Sequence, residues 1–184
     1  MVDRDHEGHS GKRIDEITTL SDTGISAAPN IVLLHAGTND ANQDYDIGGA
    51  SKRLELLIDK ILKVNPKAVI LVCQVIPSTT PAIQDRINIF NKDIPGIVDR
   101  YNEKGNHLVL VKMNEAIKTS DLDDNLHPTD DGYSKMADAW WEQIKYADSK
   151  GWIKAPGTPV AAPACKATPS WYRKVDPVAS GAKV

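Results

Sequence analysis

The sequence is poor in aromatic residues and has no excess of positive charge. Aromatic residues make up 5% of its 184 residues, with a single Phe, and the formal net charge at pH 7 is −3. Nucleic-acid-binding domains carry a surplus of Lys and Arg, so no nucleic-acid partner is expected. Its apolar runs fall well short of the roughly 20 residues that a membrane-spanning helix needs, so no membrane association is expected.

The sequence is also poor in cysteine, and its two cysteines leave the cellular compartment open. Cys73 lies in an apolar run at 68–76, where a thiol behaves as a small hydrophobic side chain. Cys165 lies in a tail rich in Pro and Ala, and this spacing indicates no disulfide framework. The first residues of the chain are largely polar and lack the apolar centre of a signal peptide.

Three apolar runs have the length of β-strands, at 31–34, 68–76 and 107–112. A strand without polar alternation is expected to be buried on both faces, as in a parallel sheet that helices cover. The runs alternate with amphipathic segments, and this order favours a single α/β domain with a parallel sheet.

The amphipathic segments predict helices on the basis of apolar residues three and four positions apart. The third of them is expected to break or kink at Pro95, and Thr129 is expected to cap the fourth. The apolar side of that fourth helix includes Trp140 and Trp141, which we interpret as core and rim rather than a sugar-binding platform. The predicted helices cover 14–20, 47–64, 81–104 and the segment after Thr129.

The composition changes near residue 154, where the chain becomes rich in Pro, Ala and Gly. Such a segment has little apolar bulk to bury and is typical of a linker. We therefore expect a domain at 1–153, followed at 154–184 by a linker or the start of a further module.

Three polar clusters lie where strands end and loops begin, which is where functional groups gather in parallel α/β sheets. They are Gly8–Gly11, Gly37–Asp40 and Asp121–His127. Backbone N–H groups, an Asn amide and an acid close to a His are the parts of an acyl-transfer site. Each cluster by itself is more typical of an ordinary turn or solvated loop.

Taken together and in this order, the clusters resemble the SGNH (GDSL-type) hydrolase superfamily. The resemblance is to its acetylxylan-esterase-like carbohydrate esterases, and it covers roughly residues 3–150. Three blocks of the family's pattern are matched, by residues 7–17, by residues 33–40 and by residues 124–128 with 132–137. The resemblance implies a three-layer α/β/α, flavodoxin-like fold.

The resemblance also implies a role for four residues. His127 would be the general base and Asp124 the acid that orients it, while the Gly11 N–H and the Asn39 side-chain amide would be oxyanion donors. The implied function is a serine ester hydrolase that removes acetyl groups from a carbohydrate, with no metal or organic cofactor. An acylated carbohydrate or small ester would be the substrate of a secreted protein, either a monomer or part of a longer multidomain chain.

The family's first block, Gly-Asp-Ser, carries the nucleophilic Ser at the end of the first strand, and this sequence contains no Gly-Asp-Ser. The chain therefore resembles an N-terminally truncated member whose first strand and nucleophile are missing. Ser10 is the nearest alternative, but its hydroxyl is more simply explained as a cap of the helix that follows. Little more than residual activity is expected, because losing the Ser of a triad costs on the order of 10⁶ in kcat.

Other interpretations start from the same residues. His6 and His9 have one residue too few between them for the zinc-protease motif. The segment 121–132 has Leu126 where a calcium loop has its sharp-turn Gly and Gly132 where it has its Glu, so no metal site is predicted. His35 and His107 are expected to be packed or hydrogen-bonded at strand ends.

The alternatives to an enzyme are a non-catalytic carbohydrate-binding or interaction module and an incomplete chain without its own function.

Overall fold

A computed structural model describes residues 6–154 of the chain. Its strands form one parallel sheet in the order β1-β2-β3, with Leu33 opposite Leu71 and Leu71 opposite Val109. The strands are β1 Ile31–Leu34, β2 Val69–Cys73 and β3 His107–Val111. The helices are α1 Ile14–Leu20, α2 Asp22–Ser26, α3 Thr38–Asn42, α4 Ala50–Val64, α5 Pro81–Glu103, α6 Met113–Ala116 and α7 Asp130–Ser149, with 3-10 turns at Ile47–Gly49 and Thr119–Asp121.

Helices cover both faces of the sheet, and alternate residues of β2 feed two separate cores. Ile70 and Val72 pack with the apolar stripes of α4 and α5, including Phe90. Val69 and Leu71 point to the other face, which α6 and α7 cover. The expected three-layer α/β/α architecture is confirmed.

The three strands differ in burial because of their places in the sheet. Every residue of β2, the central strand, is buried, as its unbroken apolar run predicts. The same prediction is wrong for β1, where only Leu34 is buried and the side chain of Leu33 is 47% exposed. Within residues 6–154, β1 has a partner on one side only, and α7 packs against β2 and β3 rather than β1.

The outer edge of β3, in contrast, is covered by side chains. The amide of Asn102 donates to the Leu108 carbonyl at 3.0 Å and accepts from the Leu108 N–H at 2.8 Å. The ring of His107 stacks on Trp152 with centroids 4.8 Å apart, so the expectation that His107 is packed at a strand end is confirmed. The Asn102 amide thus occupies the N–H and the carbonyl of Leu108, which a further strand could otherwise bind.

The helices follow the predicted order, with differences at Pro95 and in the short elements. α5 continues through Pro95 as one helix, so the predicted break does not occur there. The sequence also gave no sign of α2 or α6, which are only five and four residues long. Such short helices bury too few residues for a periodic apolar pattern to show.

The last helix begins as predicted, because the Thr129 hydroxyl accepts the Gly132 N–H at 3.1 Å. Its expected apolar face is only partly buried: Met136 is covered, but Tyr133 and Trp141 are more than half exposed. The proposed linker lies outside the described residues, apart from Lys154. No helix within residues 6–154 has both the length and the apolar character needed to cross a membrane.

Replacing Gly37 with Ala is expected to lower the free energy of unfolding by roughly 2–5 kcal/mol. Gly37 has φ +114°, and an added Cβ would lie 2.3 Å from Cε1 of Phe90, so both the backbone and the core resist it. Gly48→Ala is the matched control, because no atom lies within 4 Å of its Cβ position. Urea unfolding of both variants checks this, and equal losses would contradict the prediction.

Candidate active site

The turn between Asp121 and Thr129 is closed by backbone hydrogen bonds. The Asp123 N–H donates to the His127 carbonyl at 2.8 Å, and the Thr129 N–H donates to the Asp121 carbonyl at 2.8 Å. Leu122 and Pro128 pair as an isolated antiparallel bridge. The turn is therefore a defined loop that holds its side chains at the start of α7.

Within this turn, Asp124 and His127 form an acid–imidazole pair. Nδ1 of His127 lies 2.8 Å from Oδ2 of Asp124. The other oxygen, Oδ1, accepts the N–H groups of Leu126 and His127 at 2.6 and 2.7 Å. These bonds, with the His127 ring as the largest cause, lower the pKa of Asp124 to about 2. Since Nδ1 faces the carboxylate, Nε2 of His127 is the nitrogen left to exchange a proton with a ligand.

Asp121 supports the turn rather than the imidazole. Its carboxylate accepts from Nζ of Lys135 at 2.5 Å and from the N–H of Lys118 at 3.0 Å. The hydrogen bond from Lys135 is the main reason that the pKa of Asp121 is lowered. The acid that the sequence analysis assigned to His127 is Asp124, and the structure pairs those two residues.

A cavity of about 380 Å³ brings the three polar clusters together. Gly11, Asn39 and His127 all line it, although they come from three separated parts of the sequence. The remaining walls mix polar and apolar side chains: His9, Ser10, His35, Thr38, Asn42, Ile76, Leu126, Pro128, Tyr133 and Met136.

Gly11 stands in the left-handed region with φ +73°, which glycine adopts without strain. Its carbonyl accepts from Nε2 of Gln43 at 2.9 Å, and Gln43 in turn accepts from Nη1 of Arg13 at 3.2 Å. No hydrogen bond from the Gly11 N–H is formed to any other residue of the part of the chain that the structure describes. The Gly11 N–H is thus a free donor in a loop whose carbonyl is fixed.

The Asn39 amide also touches this loop, because its Nδ2 donates to the carbonyl of Lys12 at 3.2 Å. An amide nitrogen carries two hydrogens, so one remains for a ligand in the cavity. Asn39 lies in α3, a short helix in the region where the sequence analysis predicted a turn.

Asp40, the next residue, joins two other segments of the chain. It is fully buried, and its Oδ2 accepts the Ile14 N–H at the start of α1 at 3.0 Å. Its Oδ1 accepts from Nε of Arg53 in α4 at 3.1 Å. Burial raises the pKa of Asp40, and the Ile14 N–H and the Arg53 guanidinium oppose that rise.

Gln43 and Arg53 also support the site, although no sequence pattern singled them out. Gln43 lies 32 residues from Gly11 and Arg53 lies 13 residues from Asp40. Neither residue belongs to a motif, and each is of a type that is mostly solvated at the surface. The only hint in the sequence was that Asp40 directly follows Asn39, which puts a second polar side chain in the segment of the candidate oxyanion donor.

His35 directly follows β1 and lines the cavity, and burial lowers its pKa to about 4, so that it is neutral near pH 7. Its Nε2 is buried without a hydrogen-bond partner among the described residues. The expectation that His35 is packed at the strand end agrees with this burial, but a hydrogen bond to this nitrogen is not formed.

Ser10 is exposed at the rim of the same cavity. It does not cap α1, contrary to expectation, because that helix begins after Arg13 and Oε2 of Glu16 accepts the Arg13 N–H at 3.1 Å. Nor does Ser10 hydrogen-bond to His127 within the described residues. Across residues 6–154, no group of three or more His, Cys, Asp and Glu side chains is arranged to hold a metal ion.

Comparisons with known proteins identify relatives of this chain. The sequence profile of the GDSL-like Lipase/Acylhydrolase family matches residues 2–135. A multidomain esterase of Ruminococcus flavefaciens is 29% identical over 138 residues. The match covers 72% of this chain but only 17% of that much longer relative.

Two solved structures have similar folds. A family 3 carbohydrate esterase of Clostridium thermocellum is 30% identical, with a TM-score of 0.67, and the match covers 81% of this chain and 73% of that one. A carbohydrate esterase family 3 structure from Talaromyces cellulolyticus gives a TM-score of 0.69 at 23% identity, with 79% and 72% covered. At the lower identity, the likeness shows the fold alone.

The pKa of the Asp124 carboxyl is expected to be about 2 and to rise toward its ordinary value of 3.8 in His127→Ala. The rise should be incomplete, because the backbone N–H groups of residues 126 and 127 still bind the carboxylate. Carbon-detected NMR titration measures this value, and His107→Ala is the control that should leave it unchanged. A wild-type carboxyl that titrates near 3.8 would contradict the pairing.

Asp40→Ala is expected to cost about 3–5 kcal/mol of unfolding free energy, because it leaves the Arg53 guanidinium without its buried partner. Asp44→Ala is the control. Its carboxylate is 73% exposed and lies 3.5 Å from Nη1 of Arg86, so it should cost no more than about 1 kcal/mol. Thermal and urea unfolding check both values, and a small loss in Asp40→Ala would show that the buried pair is not needed.

Proposed function

The chain belongs to the GDSL-like lipase/acylhydrolase family, and from this premise we propose that it is an ester-hydrolase domain for O-acetyl esters of carbohydrates. The observation that carries the proposal is one cavity that is lined by the histidine of an acid–histidine pair and by two candidate oxyanion donors. The relatives named above as carbohydrate esterases support the choice of substrate.

In this proposal, His127 is the general base and Asp124 is its orienting acid. The carboxylate fixes Nδ1 as the protonated nitrogen and stabilises the imidazolium that forms when Nε2 takes a proton. The low pKa of Asp124 supports the assignment, because the carboxylate stays ionised whenever His127 is neutral. Proton transfer of this kind contributes typically 10²- to 10⁴-fold to rate.

Gly11 and Asn39 are the proposed oxyanion donors. The free N–H of Gly11 and the second amide hydrogen of Asn39 are available to the cavity that His127 lines. Donors held in place before the reaction stabilise the negative charge that develops on an ester oxygen, and losing one costs about 10²- to 10³-fold in kcat. Gln43 and Asp40 hold the segment that carries these donors.

Among residues 6–154, no serine is placed against His127 as a nucleophile. Ser10 is the only serine that lines the cavity among the described residues, and it makes no hydrogen bond to His127. We therefore propose that this chain carries the base and the oxyanion donors of the site without its serine, and that its turnover is residual. Secretion and a place in a longer multidomain protein are proposals that rest on family resemblance and on the length of the esterase relative.

A second candidate function is a non-catalytic carbohydrate-binding module. The same observation favours it, namely an intact cavity with no serine placed against His127 among the described residues. The two functions differ in whether any ester is cleaved by a route that uses His127.

Hydrolysis of p-nitrophenyl acetate and of acetylated xylo-oligosaccharides distinguishes them. We expect slow cleavage of the activated ester that falls about 10²-fold in His127→Gln, since the base is lost. Ser10→Ala and His107→Gln are controls and should keep the wild-type rate. Loss of turnover in Ser10→Ala would make Ser10 the nucleophile, and sugar binding with no turnover that depends on His127 would favour the binding module.

A further inference from the structure

Tyr133 is a large aromatic side chain that the core leaves uncovered. It is 51% exposed, and its side chain forms part of the cavity that His127 lines. Two other large aromatic residues of α7 are exposed, Trp141 and Tyr146, but neither lines this cavity. Tyr146 already packs edge-on against Trp152. Tyr133 is therefore the one exposed aromatic ring of α7 that faces the proposed site.

The position of Tyr133 relative to His127 is fixed by the start of α7. Thr129 caps the helix and is bound through both its N–H and its hydroxyl to the carbonyl of Asp121. Gly132, directly before Tyr133, is buried, and a Cβ there would lie 2.4 Å from the same carbonyl. This close packing holds the first turn of α7 against the loop that carries His127, so the ring is presented on a rigid support.

The apolar and the polar residues that line the cavity come mainly from different segments of the chain. Leu126, Pro128 and Met136 lie near Tyr133 in sequence, whereas Ser10, Thr38 and Asn42 come from the loop before α1 and from α3. Pyranose rings likewise combine an apolar C–H face with hydroxyl groups at the edge. Aromatic side chains with a polar end are suited to such half-wet contacts.

The size of the cavity also exceeds what an acetyl group needs. At about 380 Å³ it lies within the range of small-molecule sites, roughly 300–1,000 Å³. An acetyl group has only three heavy atoms, so most of the volume is left for the alcohol part of the ester.

We propose that Tyr133 is the stacking platform for the sugar ring that bears the ester, and thus a residue that determines specificity for a pyranose alcohol. The inference rests on the proposed function, since it assigns the leaving-group side of that same site. The ring face of Tyr133 covers the apolar face of the sugar, while the hydroxyl and amide side chains of Ser10, Thr38 and Asn42 in the same cavity bind its hydroxyl groups.

Trp141 is the natural comparison, because it is a larger aromatic ring with almost the same exposure, 52%. It lies eight residues further along α7, which at 1.5 Å per residue is about 12 Å from Tyr133. A sugar stacked there would place its ester away from His127.

The test is the affinity of the full chain for xylotetraose, measured by NMR titration of the wild type and of three variants. Tyr133→Ala is expected to weaken binding about three- to tenfold, the range of an aromatic contact. Tyr133→Phe should restore it, because the ring face is kept, and Trp141→Ala should leave it unchanged. Melting curves of each variant confirm that the fold is retained.

Binding of acetate ion is measured in parallel, because it reports on His127, Gly11 and Asn39 without any leaving group. Unchanged acetate binding in Tyr133→Ala, together with weaker sugar binding, is the expected result. Undiminished sugar binding in Tyr133→Ala, loss in Trp141→Ala, or no xylotetraose binding by the wild type would each overturn the platform. Cleavage that does not depend on His127 would instead overturn the proposed function, whatever the sugar result.

Discussion

The buried carboxylate of Asp40 is the interaction on which the arrangement of the site depends. It joins the start of α1, the helix that carries Asn39 and the guanidinium of α4 at a point that water does not reach. A buried charge is tolerated only where its oxygens are well bonded. If the loop that carries Gly11 shifted away from α3, this buried carboxylate would lose a hydrogen-bond partner. The two candidate oxyanion donors are therefore held together.

The parts of the fold that the sequence predicted correctly are those with local causes. Thr129 caps α7 because its hydroxyl reaches an N–H three residues ahead, and Asp124 meets His127 because both lie in one tight turn. The burial of β2 follows from an apolar run with no polar residue. No local pattern groups Gly11, Asn39 and His127 in one site. That grouping was predicted from the family resemblance.

The features that escaped prediction depend on contacts between distant residues or on place in the sheet. Gln43 and Arg53 act on groups 32 and 13 residues away, and no periodicity signals such contacts. The exposure of Leu33 could not be read from its apolar neighbours, because it depends on which strand lies at the edge. Tyr133 has the spacing of a core residue on α7, yet its ring faces the cavity instead of the sheet.

The two edges of the sheet differ in how readily they could accept a further strand. The Asn102 amide closes the β3 edge, whereas the β1 edge is an apolar strand without charge, proline or bulge, the usual devices against edge pairing. Within residues 6–154, a further strand is therefore favoured at β1 rather than at β3. Because β1 ends at Leu34 and leads directly into His35 in the wall of the cavity, a strand added in parallel would deliver its carboxyl end to the mouth of the site.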